Sequence, residues 1–149
     1  MIAIMMKHVK YNGFTLIEVM VVVVILGVLA AIIVPNVIGR ADDAKIVKVK
    51  QDVQALENAL EMYRLDNGFY PSTDQGLEAL IKKPENEPRP TQWRVGGYIK
   101  QLREDPWGNP YQYLNPGLHR EIDVFSNGKP GKQNDEAAQI GNWTTDEKK

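Results

Sequence analysis

The 149 residues carry 18 Lys+Arg against 19 Asp+Glu, two histidines and no cysteine. A near-neutral chain offers no basic face for nucleic acid, and the lack of cysteine excludes a disulfide scaffold, a thiolate metal site and a cysteine nucleophile. One ordinary domain is the most this length supports, yet the apolar residues are gathered largely into one segment.

Met1–Gly13 holds Lys7, His8 and Lys10 and no acid, so this end is expected to stay cytoplasmic. Starting translation at Met1, Met5 or Met6 changes only the length of this leader. Phe14–Val34 follows, 21 residues with one charge, Glu18, and one hydroxyl, Thr15. As a helix it is about 31 Å long, enough to cross a hydrocarbon core of about 30 Å. The residues after Val34 are too few to enclose such a run as a soluble core. A secretory signal would have an apolar region of about 7–15 residues and a small-residue cleavage site. This run is longer and continues into Pro35-Asn36. Glu18 is the costly residue in it, and no Lys or Arg within the span can pair with it.

Pro35 is expected to kink the helix rather than end it, since the apolar pattern resumes at once. Ile46, Val49, Val53, Leu56, Leu60 and Tyr63 form one helical stripe, with Lys48, Lys50, Asp52, Gln54, Glu57 and Glu61 on the wet faces between. Asn67-Gly68 supplies a left-handed stop, with Pro71 soon after. Phe14–Asp66 thus reads as one helix of about 80 Å. A two-stranded coiled coil is the other way to cover the stripe, but the repeat is short and the chain carries its own cover downstream.

After Gly68 the elements are short. Ser72-Thr73-Asp74-Gln75 followed by Leu77, Leu80 and Ile81 predicts a small capped helix ended by Pro84. Residues 85–92 are a proline-rich loop, and Asp105–Pro110 is a turn cluster. Tyr111–Leu114 and Glu121–Ser126 have strand composition and predict an antiparallel pair joined through Asn115-Pro116-Gly117. Residues 127–139 are polar with Gly and Pro, and 144–149 is expected to fray. The fold class is α+β: a long N-terminal helix with a small antiparallel sheet packed on its upper half. No reaction is indicated. Ser72 and Ser126 are the only serines, His119 follows a Pro-Gly turn, and no phosphate loop or paired-histidine motif occurs.

A basic leader, Gly13, Phe14-Thr15-Leu16 and then Glu18 within an apolar helix resembles the prepilin signal of type IV pilins and pseudopilins. The resemblance implies cleavage after Gly13 by a prepilin peptidase, N-methylation of the new N-terminus Phe14, and retention of the apolar helix. It also implies that Glu18 pairs with the Phe14 amine of a neighbouring subunit. Phe14, Glu18 and Pro35 are then assembly residues. Asp66–Pro71, Thr73–Leu77, Asp105–Pro110 and Ile140-Gly141-Asn142-Trp143 further resemble the major pseudopilin family of the type II secretion system, general secretion pathway protein G. The implied organisation is a cleaved leader (1–13), a transmembrane and assembly helix (14–35), a periplasmic domain (36–143) and a flexible tail (144–149).

That family closes its last loop with calcium, a hard cation suited to carboxylates and carbonyls. Carried over, the ligands are Asp135 and the backbone carbonyls of Asn127 and Lys132. The family's Gly-x-Asp-Gly turn, however, is here Gly128-Lys129-Pro130-Gly131, without a carboxylate, and Gln139 stands where an acid is common. Either calcium binds a weakened site, or Lys129 takes its place by reaching an acid such as Asp135 or Asp123.

The function implied is a structural subunit polymerising in the periplasm, anchored in the bacterial inner membrane by a single pass with its N-terminus cytoplasmic. Its partners are further copies of itself, minor pseudopilins, the prepilin peptidase, and the inner-membrane secretion platform and its motor, with no nucleic acid. A type IV pilin of a surface fibre and a membrane-anchored binding module that never polymerises are the alternatives.

Overall fold

The computed structural model describes residues 13–132 and 135–144, and of residues 33–39 the helical backbone alone. Met1–Asn12 of the expected leader, and the expected tail after Thr144, lie outside the described residues. The chain divides into two compact units after Ala41, and α1 (Leu16–Asn67, 52 residues) supplies helix to both.

The start of α1 is set by a reciprocal cap. The Thr15 N–H donates to Glu18 Oε2 at 2.8 Å, and the Glu18 N–H donates back to Thr15 Oγ1 at 3.4 Å. Two N–H groups that lack intrahelical partners are thereby satisfied. The helix runs through Pro35 without ending; the side chain of Pro35 lies outside the described residues. It stops where the sequence indicates. Gly68 adopts φ +84°, and its N–H bonds the Arg64 carbonyl at 2.7 Å, a left-handed cap that suits a residue without Cβ.

In the second unit the stripe Val49, Val53, Leu56, Leu60 and Tyr63 is buried, joined by Ala59. Ile46, expected to begin it, is 38% exposed, so the covered face starts one turn later. Tyr70, Leu77, Leu80, Tyr111, Tyr113, Ile122 and Val124 complete the core. Tyr63 is fully buried and burial pushes its phenol up to about 12. Its hydroxyl finds no hydrogen-bond partner among the described residues. An unmade buried hydrogen bond costs about 1–3 kcal/mol, so Tyr63→Phe is expected to leave the melting temperature unchanged or raise it. A drop of several degrees would show that the hydroxyl is satisfied.

The expected capped helix after Ser72 forms differently. Ser72 and Gln75 do make the reciprocal box, at 3.0 Å and 3.2 Å, but it closes a turn. Gly76 then takes φ +59°, and only a 3₁₀ segment, Leu77–Leu80, follows, without a side-chain cap. The Gln75 amide also donates to the carbonyls of Asn86 and Pro88, each at 2.9 Å, which holds the proline-rich loop.

The sheet has three strands, β1 (Gln112–Leu114), β2 (Asp123–Ser126) and β3 (Ile140–Gly141), antiparallel in the order β1-β2-β3. Tyr113 pairs with Val124, and Phe125 with Gly141. The first two strands match the expected pair, each beginning later than expected, by one residue in β1 and two in β2. The third is unannounced by its sequence, since two residues carry no alternation.

Candidate functional site

Two regions carry the residues singled out by sequence: the first half of α1 and the segment after β2. In the first, the large hydrophobic side chains from Phe14 to Ile32 are exposed, Phe14 by 88% and Leu16 by 81%. They form an apolar helix surface that nothing among the described residues covers, and Glu18 is its one charge. The Glu18 carboxylate takes bonds from the Thr15 N–H and hydroxyl, both at 2.8 Å and both through Oε2. Among the described residues Glu18 has no cationic partner. Thr15 and Glu18 have the Thr-x-x-Glu spacing of a capping box, a local signal that marks Thr15 as well as Glu18. Gly13 is exposed at the head of this segment. Among the described residues no helix is long and apolar enough to cross a membrane. Their apolar side chains end at Ile32, and those of Ile33 and Val34 lie outside them.

The second region follows β2. Asp135 serves as a helix cap. Its Oδ1 accepts the Ala137 N–H at 3.0 Å, capping the 3₁₀ turn Glu136–Ala138. The Lys132 carbonyl accepts the Asp135 N–H at 2.9 Å. Asn127 is half-buried just after β2, beside a Gly128 N–H that donates to Ser126 Oγ at 3.0 Å. The described residues contain no group of three or more His, Cys, Asp or Glu side chains placed for a metal. Calcium asks for six to eight oxygens, several of them charged. Among the described residues, one carboxylate with an oxygen in a cap, two carbonyls and a lysine in the adjoining turn fall short of that number. Lys129 reaches neither Asp135 nor Asp123; its ammonium sits 2.8 Å from Asp42 Oδ2 on α1.

Asp123 has a different task. It is 1% exposed, and its carboxylate accepts the N–H groups of Leu118 (2.7 Å), His119 (3.0 Å) and Arg120 (3.0 Å). His119 Nδ1 lies 3.1 Å from Oδ2. Burial pushes its pKa up, but those hydrogen bonds outweigh burial and hold the carboxyl below the usual range. The His119 ring stacks on Trp143 at 3.9 Å, and its Nε2 lies 3.6 Å from Glu136. Asn142 extends the sheet beyond β3 by bonding the Val124 N–H (3.3 Å) and the Ile122 carbonyl (3.0 Å). Leu118, His119 and Arg120 lie within five residues of Asp123, so that part of the knot is a local turn that no sequence motif marks; Trp143, Glu136 and Asn142 come to it only once β3 pairs with β2. A Cβ at Gly141 would stand 2.3 Å from the Trp143 ring. Gly141→Ala is therefore expected to displace Trp143 and cost about 1–3 kcal/mol, read as a lower melting temperature with altered tryptophan fluorescence. An unchanged spectrum would contradict it.

Neither region brings a catalytic constellation together among the described residues. They offer an uncovered apolar helix with one carboxylate and a small domain whose polar groups serve to hold its own loops. The chain is similar to known proteins along most of its length. The Prokaryotic N-terminal methylation motif matches residues 9–34, and Type II secretion system (T2SS), protein G matches residues 36–143. The type II secretion system core protein G of Pseudomonas aeruginosa is 56% identical over 140 residues, covering 93% of this chain and 99% of that protein. The core protein G of Vibrio cholerae is 58% identical over 141 residues, covering 93% and 96%. The crystal structure of the major pseudopilin from the type 2 secretion system of enterohaemorrhagic Escherichia coli superposes with a TM-score of 0.68 at 53% identity. It covers 74% of this chain and 96% of that one. With one family matching most of the chain and relatives this similar along nearly all of it, the chain belongs to the type II secretion system protein G family, the major pseudopilins.

Proposed function

We propose that this chain is the polymerising structural subunit of a type II secretion pseudopilus, anchored in the inner membrane until it is built into a periplasmic fibre. The observation that carries the reading is the exposed apolar half of α1 with its single carboxylate, Glu18. In a membrane, lipid covers such a surface; in a fibre, the same helix of neighbouring subunits does. Cleavage after Gly13 would create the one cation the segment lacks, the Phe14 amine. Glu18 then has a partner on another chain, and pairing the two fixes the axial register of successive subunits.

Prepilin peptidase would make that cut and methylate Phe14. The secretion platform and its motor would lift subunits out of the bilayer one at a time, and minor pseudopilins would share the fibre. Lengthening the fibre pushes folded cargo towards the outer membrane, so the subunit contributes shape and register and no reaction. The helix passing unbroken through Pro35 suits a segment that must leave lipid and enter the fibre. Crosslinking of intact membranes is expected to give a ladder of oligomers, and deletion is expected to abolish export of secreted proteins. A chain that stays monomeric while secretion continues would end this reading.

A further inference from the structure

We infer that the loop after β2 is closed onto α1 by the Lys129–Asp42 ion pair, which takes the place that a metal ion would occupy in a loop of this kind. The pair lies 87 positions apart in sequence, with Nζ 2.8 Å from Oδ2. It is the contact between the turn 128–131 and the helix for which the chain shows specific chemistry. The residues around it fix where the lysine starts. The Gly128 N–H is held by Ser126 Oγ, and that hydroxyl donates in turn to the buried Asp105 at 2.5 Å. On its other side Gly128, at φ +76°, is so close to the Ala138 carbonyl that a Cβ would stand 2.4 Å from that oxygen. Pro130 restricts the following backbone, and the Lys132 N–H returns to the Lys129 carbonyl at 3.2 Å.

Several of the oxygens a cation would draw on in the described part of this loop already take other bonds. Asp135 caps its own 3₁₀ turn, the Lys132 carbonyl takes the Asp135 N–H, and Glu136 lies towards His119. An ammonium in the turn also repels a divalent cation from it. Asp42 is correspondingly held below the usual carboxylate range, by its hydrogen bond from Lys129 and by the Lys129 charge. Lys45 adds a smaller effect of the same sign. An acid at position 129 would reverse these signs, leaving the turn without its tie to α1 and placing a second carboxylate in the loop.

The test is amide hydrogen exchange of residues 127–132 in the full chain, purified from membranes in detergent, with peptides of α1 as the control for global unfolding. Exchange of the unaltered protein is expected to be the same in calcium chloride and in EGTA. Lys129→Met, or raised salt, is expected to speed it about two- to fivefold, the range an exposed ion pair supports. Lys129→Asp is expected to exchange faster still, and adding Asp42→Lys to that variant is expected to restore protection without calcium. Slower exchange of the unaltered protein on adding calcium would overturn the inference. So would unaltered exchange in Lys129→Met, or a charge swap that fails to restore protection. These outcomes do not depend on whether the chain polymerises, so they stand apart from the fate of the proposed function.

Discussion

Glu18→Leu is expected to insert into the inner membrane, to be cut after Gly13, and then to fail to assemble. The three parts separate because they draw on different physics. Leucine lowers the cost of placing the span in lipid, where an acid near the bilayer centre costs roughly 2.5–3.5 kcal/mol. The leader and Gly13 are untouched, so processing has its substrate. Assembly loses an ion pair removed from water, and the Phe14 amine of the neighbouring chain is left unpaired. Removing one partner of such a pair costs about 3–5 kcal/mol, or more than a hundredfold in the equilibrium of each contact, and every subunit of a fibre bears that loss. Glu18→Gln keeps the hydrogen-bonding shape and is expected to assemble poorly, better than leucine. The measurement is crosslinking of membranes from cells carrying each variant. Fibres of normal length from Glu18→Leu would remove the register role. Thr15→Ala bears on the same point, because in the single chain Thr15 supplies both bonds to the Glu18 carboxylate. It is expected to loosen the first turn of α1 by about 0.5–2 kcal/mol while leaving the fibre pair intact.

Asp123→Ala is expected to be the most damaging single change in the second unit outside the apolar core. Its carboxylate holds three consecutive N–H groups and the His119 ring, and hydrogen bonds to a charged group contribute about 1.5–3 kcal/mol each. Leu118, His119 and Arg120 are exposed enough for water to take part of the load. We therefore expect a loss of about 2–4 kcal/mol, a fall in melting temperature of roughly 10–20 °C for a unit of this size. The pH dependence follows from the depressed carboxyl. A group whose folded pKa is lower than its unfolded pKa stabilises fully above the unfolded value, about 4 for Asp, and loses that contribution as pH falls through the folded value. Thermal melts between pH 7 and pH 3 are expected to show this acid-side loss in the unaltered protein and a weaker slope in Asp123→Asn. Equal slopes in the two would assign acid lability to other carboxylates.

What the sequence discloses and what it hides divide along the range of the interactions. The end of α1 was legible because Gly68 acts locally, and the stripe from Val49 to Tyr63 because helical spacing repeats over four successive steps. The 72–81 segment was half legible. Ser72 and Gln75 do form their reciprocal bonds, but Gly76 takes a left-handed conformation, φ +59°, and diverts the chain before a full helix can follow. Ile46 belongs to the spacing and not to the core, because no downstream segment covers it. β3 escaped because two residues cannot show a period; it exists because Asn142 anchors them to β2.

The candidate site divides the same way. The Gly13–Glu18 constellation is contiguous, so its resemblance to a prepilin signal shows in the sequence itself, and the resemblance implies the partner proposed for its lone carboxylate. The Asp123 turn is itself local, but the His119–Trp143 stack, the Ser126–Asp105 bond and the Lys129–Asp42 pair join positions brought together only by the finished fold. For Lys129 the sequence announced a cation in a turn that its relatives would give to an acid. It did not announce the acid that Lys129 would meet, and both candidates it suggested, Asp135 and Asp123, are engaged elsewhere.

Intact mass and N-terminal sequencing of the chain recovered from bacterial inner membranes provide the most direct test of a processed fibre subunit. A chain beginning at N-methylated Phe14 is the expected result, since only that cut frees the amine Glu18 requires. A chain still carrying Met1–Gly13 at steady state would mean an anchored monomer, and one cut after Ala31 would mean an ordinary secreted protein; either would contradict assembly through the Glu18–Phe14 pair.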